Sequence, residues 1–541
     1  MGKKIEISNK TAPIIVIILL AAMFFQAVSS MRLKSLTFDE TSHLPAGYSY
    51  LMTGDYRINL EQPPLIKLLA GIPLLFFKQN LPLYSAFWQN SSQYEFGSQF
   101  LYYSGNDADK IIFWGRIPIV FLGLLLGYFI YAWAGRLYGN AAGLFALFFY
   151  VFCPNMLAHT RLVAMDFGLG CFMLIACYQA WSYLEKPSVS GLLLTAIFTG
   201  LALVAKFSAV VLIPVLFVMF CFRVFLDKTA DKILFPGKKH LQFITRAWFI
   251  ISRFLAIGVI CIVIIFIVYG FRPDALALYK KGLDMIYWNQ SQDYKFYLNG
   301  RFSLKPWWYY YLFAFLIKTP IPTLLLIAVS IALAIKKKLY NEMWLILPIL
   351  IINLISFFDS RNMGLRRILP IYPFIFVFIG KVAVMKREDI LPVKKAVKNS
   401  ILGILMFWYL LSAIKNFPDY LTYFNEFAGG PKKGIYYLDD SNIDWGQDLK
   451  RLKPYMDSHN IDQIKLMYYG TADANYYKIK TVPVSDNELV FKPEPGYYYA
   501  ISAHYLPRLK LGVLERGSGL DWLKEFKPVD IIGNTIYIYK F

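Results

Sequence analysis

Long apolar segments recur along this chain and constrain its fold more than any other feature. The first, "APIIVIILLAAMFFQAVSSM" (12–31), has about the 20 residues that a helix needs to span a bilayer. Only 17% of the 541 residues are charged, against about a quarter in soluble domains. We therefore predict a polytopic α-helical membrane protein with about eleven transmembrane helices. The candidate segments are 12–31, 112–134, 141–158, 167–184, 189–205, 208–226, 248–270, 308–335, 341–358, 368–384 and 400–416.

Basic residues between these segments indicate the orientation. Cytoplasmic loops of membrane proteins carry an excess of Lys and Arg. "GKK" before the first segment and three basic stretches fall on the same side when the segments are counted. We therefore predict a cytoplasmic N-terminus, with the first loop (32–111) and everything after about 417 extracytoplasmic. The three basic stretches are 227–246, 336–338 and 386–398.

The apolar run 189–226 leaves the number of spans open. It is interrupted only by "KFS", which begins at Lys206. If the run were one span and an interfacial piece, every later loop would change sides. The basic stretch at 227–246 favours two spans.

The net charge of +21 does not point to nucleic acid. Positive cytoplasmic loops and contact with anionic membrane lipid account for it. We expect a multi-pass protein of the cell (inner) membrane, with no nucleic-acid partner. All five cysteines lie in apolar runs, so neither disulfides nor a cysteine metal site is expected.

The chain changes character after about residue 417. The tail 418–541 is richer in charged and turn-forming residues than the part before it. "GIYYLDDS" and "IKLMYYG" are typical of strands, "GQDLKRLKPYMDSH" of an amphipathic helix, and "DIIGNTIYIYKF" of a hairpin turning at Gly533-Asn534. We predict two domains, a transmembrane domain at 1–417 and a small extracytoplasmic α/β domain at 418–541.

The first loop opens with an ionisable cluster. In "FDETSHLPAGYSYLMTGDYRINLEQPPLIK" (38–67), Asp39, Glu40 and His43 closely follow the first apolar segment. Asp39 either caps a short helix or belongs to a functional site, and both interpretations stay open. For His43, packing or hydrogen bonding is favoured over ligand binding. Further along, "PPLIKLLAGIPLLFF" (63–77) predicts a helix lying in the membrane interface.

A second acidic position is Asp166, in "HTRLVAMDFGLG" (159–170). The count of spans puts it at the extracytoplasmic mouth of the next pair of helices. A carboxylate beside apolar runs is costly to bury unpaired, so it is either hydrated or functional. His159 and Arg161 are close in sequence, and Arg161 as a structural ion-pair partner is the alternative.

A basic cluster follows on the same predicted side. "SRNMGLRRILPIYP" (360–373) contains Arg361, Arg366 and Arg367, and Lys206 joins them if the run 189–226 forms two spans. Guanidinium groups bind phosphate oxygens in a bidentate manner. Lipid headgroups and a phosphate-bearing substrate are the alternatives. The substrate is favoured because extracytoplasmic arginines break the usual charge distribution and need an anionic partner.

Together these groups suit transfer of a sugar from a polyprenyl phosphate. The lipid would lie along the spans with its phosphate against the cations, while a carboxylate deprotonates an acceptor hydroxyl. A phosphate leaving group needs charge stabilisation rather than a proton, so one carboxylate with Arg or Lys suffices. The sequence has no Walker-type phosphate loop, so a soluble nucleotide donor is unsupported. The alternative is a transporter or flippase of lipid-linked sugars, which needs no carboxylate base.

Several segments resemble one family. "FDETSHLPAGYSYLMTGDYRINLEQPPLIKLLAGIPLL" looks like the first exported loop of the dolichyl-phosphate-mannose protein mannosyltransferases, glycosyltransferase family 39 of the GT-C superfamily. The similarity continues in "HTRLVAMDFGLG", "GLALVAKFSAVVLIP", "NMGLRRILPIYPF" and "YFNEFAGGPKKGIYYLDDSNIDWGQDLKRL". It covers nearly the whole chain and is greatest to the prokaryotic-type members.

The resemblance implies roles for three of these residues. Asp39 matches the catalytic acidic position, Glu40 completes the pair, and Asp166 matches the acidic residue of the second exported loop. It implies a GT-C fold, a polyprenyl-phosphate sugar donor, often mannose, and inversion at the anomeric carbon, as in protein O-glycosylation. No trefoil insert of the eukaryotic enzymes is visible, and the α/β tail lies outside their shared core. A protein, lipid or glycan acceptor therefore stays open, the lipid or glycan as in the related aminoarabinose transferases. Whether a divalent metal ion takes part, as in some GT-C enzymes, also stays open.

Overall fold

Helices make up most of the molecule. The computed structural model describes residues 10–227, 229–235, 242–288, 294–336, 342–359, 361–386, 395–516 and 520–541. The α-helices are α1 Ala12–Arg32, α2 Glu40–Thr53, α3 Leu65–Gly71, α4 Ala86–Gln89, α5 Gln93–Ser98, α6 Ala108–Tyr138, α7 Asn140–Val151, α8 Pro154–Thr160, α9 Met165–Glu185, α10 Val189–Ala205, α11 Leu212–Cys221, α12 Ala230–Leu234, α13 Phe243–Val268, α14 Ala275–Trp288, α15 Tyr310–Lys318, α16 Ile321–Lys336, α17 Met343–Ser356, α18 Ile371–Ile379, α19 Lys395–Lys415, α20 Leu449–Ser458, α21 Asp486–Val490, α22 Tyr505–Arg516 and α23 Trp522–Glu525.

All eleven predicted spans are helical. Within the described part of the chain, six helical stretches are long and apolar enough to cross a bilayer, and two bent helix pairs raise the number to eight. The bent pairs are α7 with α8, at 67°, and α15 with α16, at 112°. The other three predicted spans are shorter apolar helices: α10, α17 and Ile371–Val384. The structure therefore confirms a polytopic helical membrane protein. The six long stretches are Ala12–Arg32, Ala108–Tyr138, Met165–Glu185, Phe207–Leu226, Phe243–Val268 and Ala396–Lys415.

The helix α9 lies at the centre of the bundle. In its most apolar window 83% of the residues are buried, against 28% for α1 and for α13. The outer helices instead expose large apolar side chains, such as Ile17 and Leu255, as expected where lipid surrounds them. The acidic residue at the start of α9, Asp166, is therefore held by the best-packed helix of the molecule.

The run 189–226 folds back on itself at Lys206. This residue has an extended backbone between α10 and the helical stretch Phe207–Leu226, and its ammonium group donates to Asp166 at the start of α9. At the far end of that stretch, Arg223 lies 3.5 Å from Glu185, at the end of α9. Two antiparallel helical segments are therefore present, which supports the two-span interpretation.

The bundle has two unlike ends. The end opposite Asp166 has a cavity of about 380 Å³ lined by Arg136, Glu185, Glu342 and Lys381, so the ends of α6 and α9, the start of α17 and the end of Ile371–Val384 meet there. The described parts of the predicted basic stretches, such as Arg246 and Lys398, fall at this end as well. The other parts, residues 228, 236–241, 337–338 and 387–394, lie outside the described residues.

The first loop is compact and helical. Its helices α2 and α3 cross so closely that a Cβ on Gly47 would lie 1.9 Å from the carbonyl oxygen of Lys67. Only glycine allows this approach, which fixes the direction of α2. The predicted helix at 63–77 is present as α3 and a 3-10 turn, Ile72–Phe76, whose Phe76 is exposed. Its place in the membrane interface stays a prediction.

Strands are concentrated in the tail. The strands are β1 Phe296–Leu298, β2 Arg301–Ser303, β3 Ile464–Met467, β4 Thr481–Val482, β5 Tyr498–Ser502, β6 Asp530–Ile532 and β7 Ile536–Lys540. Five of them form a sheet in the order β4-β3-β5-β7-β6, with β3 parallel to both of its neighbours and β7 antiparallel to both of its neighbours. The predicted strand "IKLMYYG", the predicted amphipathic helix (α20) and the terminal hairpin are all present.

One predicted strand of the tail is wrong. "GIYYLDDS" (434–441) forms parts of two 3-10 turns, Pro431–Tyr436 and Asp440–Asn442. Packing overrides its β propensity: a Cβ on Gly434 would lie 2.2 Å from the Phe424 ring, and Asp440 has a positive φ of 54°. This segment therefore follows the surface of the helical bundle instead of joining the sheet.

Candidate active site

Four charged residues far apart in the sequence meet at one end of the bundle. A guanidinium nitrogen of Arg366 lies 2.9 Å from Asp39 Oδ2 and 3.9 Å from Asp166 Oδ2. The ammonium group of Lys206 donates to the other oxygen of Asp166. Arg366 therefore bridges the two predicted acidic positions, and all four residues lie on one face of the molecule.

Asp39 does not use its side chain as a helix cap. It immediately precedes α2, but its carboxylate makes no capping hydrogen bond. The side chain is 26% exposed, whereas that of Asp166 is 5% exposed. Of the two carboxylates bridged by Arg366, Asp39 is therefore the one that an incoming molecule can reach.

His43 has the hydrogen-bonding role that the sequence favoured. Its Nδ1 lies 2.7 Å from the carbonyl oxygen of Val163, which can only accept, so Nδ1 carries the proton. Burial lowers the pKa of His43 below its ordinary value, although the charge of Asp39 opposes this shift. The ring is therefore neutral near pH 7 and links α2 to the start of α9.

Glu40 is directed away from its neighbour Asp39. It is fully buried and accepts two hydrogen bonds from Arg116, at 2.8 and 2.6 Å. The backbone amides of Thr37 and Val163 donate to it as well. Burial opposes ionisation, but the charge and hydrogen bonds of Arg116 hold the pKa of Glu40 below its ordinary value. The predicted pairing of Glu40 with Asp39 at the reaction centre is therefore not what the geometry supports, because its oxygens are already engaged.

A cavity of about 510 Å³ adjoins Asp39 and combines a polar end with apolar walls. Seven of the ten residues predicted for the site line it. The other three, Glu40, His159 and Arg161, are not among its described lining residues. Its polar lining includes Asp39, His43, Gln62, Asp166, Lys206, Asp359, Arg361, Arg366 and Arg367; its apolar lining includes Leu169, Met173, Val210, Val211, Leu283, Ile352, Ile355 and Phe358.

The basic residues of the cavity are partly neutralised. Arg367 donates to both oxygens of Asp359, at 3.1 and 2.8 Å, and Arg361 donates to the carbonyl oxygen of Ile286. Four cationic side chains line the cavity against three carboxylates, so one positive charge is in excess. This balance favours an anionic group at the polar end. Asp359 was missed in the sequence, although it directly precedes the "SRNMGLRR" segment.

The ring of Trp445, a residue of the tail, packs against the guanidinium group of Arg366. The guanidinium carbon lies 4.1 Å from the ring centroid, a cation–π contact, and the ring is 1% exposed. Burial opposes the charged form of Arg366, but Asp39 and Asp166 together raise its pKa above the ordinary value. The guanidinium is therefore a permanent positive charge at this position.

His159 and Arg161 face the tail rather than the cavity. Arg161 donates to the carbonyl oxygen of Pro418 and lies over the Tyr420 ring, 5.6 Å from its centroid. It is not the ion-pair partner of Asp166, so that alternative is wrong. The ring of His159 lies 6.5 Å from that of Trp445. Both residues therefore connect the helical bundle to the tail.

The carboxylates of the cavity do not fit a divalent metal ion as they are arranged. Asp39, Asp166 and Asp359 each contact a fixed cationic side chain. Over the described ranges, no group of three or more His, Cys, Asp or Glu side chains is arranged to hold a metal. The carboxylates would have to leave their present partners before they could coordinate an ion.

The chain has distant similarity to solved structures of other proteins. The chain is similar to ArnT from Cupriavidus metallidurans in the apo state, with 11% identity, 98% of both chains covered and a TM-score of 0.49. It is similar to an Archaeoglobus fulgidus oligosaccharyltransferase, with 10% identity, 75% of this chain and 56% of that chain covered, and a TM-score of 0.46. It is also similar to the S. cerevisiae protein O-mannosyltransferase Pmt1-Pmt2 complex bound to the sugar donor, with 15% identity, 55% of this chain and 36% of that chain covered, and a TM-score of 0.34. At such scores, superposition does not establish an activity.

Part of the amino-acid sequence matches the model of a protein family. No curated protein sequence matches the chain. Residues 108–257, however, match the model described as dolichyl-phosphate-mannose-protein mannosyltransferase. This region includes α9 and Lys206, and therefore one of the acidic and one of the basic groups of the cavity. The match confirms, over 108–257, the resemblance to the dolichyl-phosphate-mannose protein mannosyltransferase family that the sequence motifs indicated.

Proposed function

We propose that the protein is a membrane glycosyltransferase that transfers a hexosyl group from a polyprenyl-phosphate donor to an acceptor hydroxyl. The observation that carries this proposal is the cavity, which joins apolar walls to a polar end containing a partly exposed carboxylate and four cations. The family match over 108–257 supports the same activity class. Mannose and transfer at the extracytoplasmic face are the specific expectations.

The donor fits the two parts of the cavity. Its isoprenoid chain packs against the apolar walls, which are formed by α9 and α17 together with the stretch Phe207–Leu226. Its phosphate binds the cationic end, where Lys206, Arg361, Arg366 and Arg367 converge. The excess positive charge there supports binding of an anion. Bidentate contacts from guanidinium groups orient the phosphate.

Asp39 is the general base of the proposed reaction. It accepts the proton of the acceptor hydroxyl while the hydroxyl oxygen attacks the anomeric carbon. The bond from that carbon to the phosphate oxygen breaks, and its electron pair leaves with the polyprenyl phosphate. The cations stabilise the charge that develops on the phosphate. Attack opposite the leaving group inverts the anomeric configuration.

The contact between Arg366 and Asp39 links the binding of the two substrates. Arg366 lies 2.9 Å from the base and holds it in an ion pair. A bound phosphate competes for the same guanidinium and releases Asp39 toward the acceptor. Asp166 keeps Lys206 and Arg366 within reach of the phosphate. The acceptor, whether protein, lipid or glycan, approaches Asp39 from its exposed side.

The test is transfer by the purified protein, supplied with labelled polyprenyl-phosphate mannose and candidate acceptors. We expect Asp39→Asn to lower transfer by roughly 10²- to 10⁴-fold, the usual contribution of a general base, while the donor still binds. The matched control is Asp55→Asn, which changes an exposed carboxylate of the same loop that pairs with Arg57. Transfer by Asp39→Asn at the wild-type rate would show that another group is the base. Donor translocation in proteoliposomes without formation of a glycosidic bond would support a flippase instead.

A further inference from the structure

A ten-residue segment of the tail, "DDSNIDWGQD" (439–448), is buried although most of its residues are polar. Buried polar groups are costly unless they are paired. In this segment, called the 439–448 segment below, most of the polar side chains have partners outside the segment. Asp439 contacts Arg508, for example, and Asp448 contacts Lys34. The segment is therefore held from several sides at once.

The segment is hydrogen-bonded to the stretch of backbone that leads to Asp39. The amide of Phe38, the residue before Asp39, donates to the carbonyl oxygen of Trp445 at 2.8 Å. The amide of Ser35 donates to the carbonyl oxygen of Gln447 at 3.0 Å, and its hydroxyl donates to the carbonyl oxygen of Gly446. The backbone leading to the proposed base is thus fixed by the tail.

The segment is also joined to the loop that carries Arg366. The amide of Leu365, the residue before Arg366, donates to Asn442 Oδ1 at 2.9 Å, and the Ser441 hydroxyl donates to the carbonyl oxygen of Met363 at 2.6 Å. Between them, Gly364 has a φ of 116°, and a Cβ there would lie 2.3 Å from the Ser441 hydroxyl oxygen. The loop and the segment therefore pack too closely for any other residue at 364.

Trp445 occupies the position between these two sets of contacts. Its backbone amide donates to the side chain of Gln447 at 2.7 Å, which holds the turn around the ring. Arg366 lies against the ring, and His159 approaches it at a steep interplanar angle of 63°. The ring therefore cannot move without losing the contact that orients the guanidinium group.

We propose that the 439–448 segment completes the active site, and that Trp445 is a positioning residue that acts through Arg366. This inference rests on the proposed function and adds to it that the tail is part of the donor-binding machinery. The ring keeps the guanidinium directed at the cavity, where it contacts Asp39 and meets the donor phosphate. Removing the ring leaves Arg366 present but free to adopt other rotamers.

The experiment is a double-mutant cycle in the full-length protein. Trp445→Leu keeps an apolar side chain without a π face, Trp445→Phe keeps an aromatic ring, and each is made alone and with Arg366→Gln. Equilibrium binding of polyprenyl phosphate is measured for all variants, and kcat/KM for transfer wherever turnover is detectable. The matched control is Trp522→Leu, which alters a fully buried tryptophan of the same tail whose described contacts do not include the cavity.

We expect Trp445→Leu to weaken binding of polyprenyl phosphate roughly tenfold, as for loss of a desolvated cation–π contact, and Trp445→Phe to weaken it less than about threefold. With Arg366→Gln present, Trp445→Leu should have less than about a twofold further effect, because interacting residues are not additive. Trp522→Leu should lower thermal stability, and any effect it has on binding should not depend on whether Arg366→Gln is present.

If Trp445→Leu weakens binding by the same factor with and without Arg366→Gln, the inference is overturned, because Trp445 would then act independently of Arg366. If Trp445→Leu does not accumulate as folded protein, the cycle is completed with Trp445→Phe, and additivity there is equally decisive. The proposed function fails separately: wild-type protein that binds polyprenyl phosphate but never transfers sugar would contradict the activity and leave the binding cycle interpretable.

Discussion

Two groups of carboxylates differ in what surrounds them. The cavity carboxylates, Asp39, Asp166 and Asp359, contact cations that also face an open volume. The buried carboxylates, represented by Glu40 and Asp444, have their oxygens directed at donors inside the protein. Asp39 and Glu40 are adjacent in sequence, so the type of residue does not distinguish the groups. Access to the cavity does, and it separates carboxylates that line the proposed substrate site from carboxylates that hold the structure.

The largest effect on stability is expected at Glu40. Glu40→Ala leaves the guanidinium of Arg116 buried without its partner, and breaking such a pair costs about 3–5 kcal/mol. Thermal unfolding in detergent should show a large loss of stability, whereas Asp39→Ala, at the partly exposed position, should cost less than about 1 kcal/mol. Equal losses for the two variants would remove the distinction between the groups. The double variant Glu40→Ala, Arg116→Met should regain part of the loss, because no buried charge is then left unpaired.

At Asp359 a substitution is expected to strengthen donor binding, an effect smaller than the loss of stability expected for Glu40→Ala. This carboxylate neutralises Arg367, so Asp359→Asn increases the positive charge of the cavity and should tighten binding of polyprenyl phosphate a few-fold. The measurement is equilibrium binding at low and at moderate salt, with Asp55→Asn as the control. Weaker binding than in the wild type would mean that Asp359 mainly orients the arginines rather than competing with the donor.

The last expected effect is a change in pH dependence at Asp444. Burial raises the pKa of Asp444 to about 7, although hydrogen bonds from Gly446 and from other groups oppose the shift. The folded protein therefore holds a proton that the unfolded chain releases near its ordinary pKa. Stability from this group is greatest at low pH and falls as the pH rises toward about 7.

Asp444→Asn removes this dependence. The difference in melting temperature between the variant and the wild type should grow in favour of the variant from pH 5 to pH 8. A difference that stays constant over this range would mean that Asp444 is ionised in the folded protein throughout.

Much of the helical architecture could be predicted from the sequence because the apolar length of a span is a local property. The same holds for α20 and the terminal hairpin, which have local periodicity and a Gly-Asn turn. The segment 434–441 was missed because its conformation depends on distant contacts with Phe424 and the helical bundle. Local propensity carries no information about such contacts.

The candidate site was predictable in part for the same reason. Counting spans put Asp39, Asp166, Lys206 and Arg366 on one side, and the structure brings them together. The count could not separate Asp39 from Glu40, because the partner of Glu40, Arg116, lies 76 residues away within a span. Nor could it find Trp445, whose contact with Arg366 depends on how the tail folds back over the bundle. The "DWGQD" pattern, an aromatic residue among polar ones, was the available signal.

The hydrogen bond between Phe38 and Trp445 joins residues about 400 positions apart. The ribosome therefore synthesises Asp39, the proposed base, early and Trp445, whose ring contacts Arg366, late. A nascent chain has crossed the membrane many times before these two parts can meet. A chain whose translation stops before residues 439–448 therefore lacks the assembled arrangement, even though all of its predicted spans have been made.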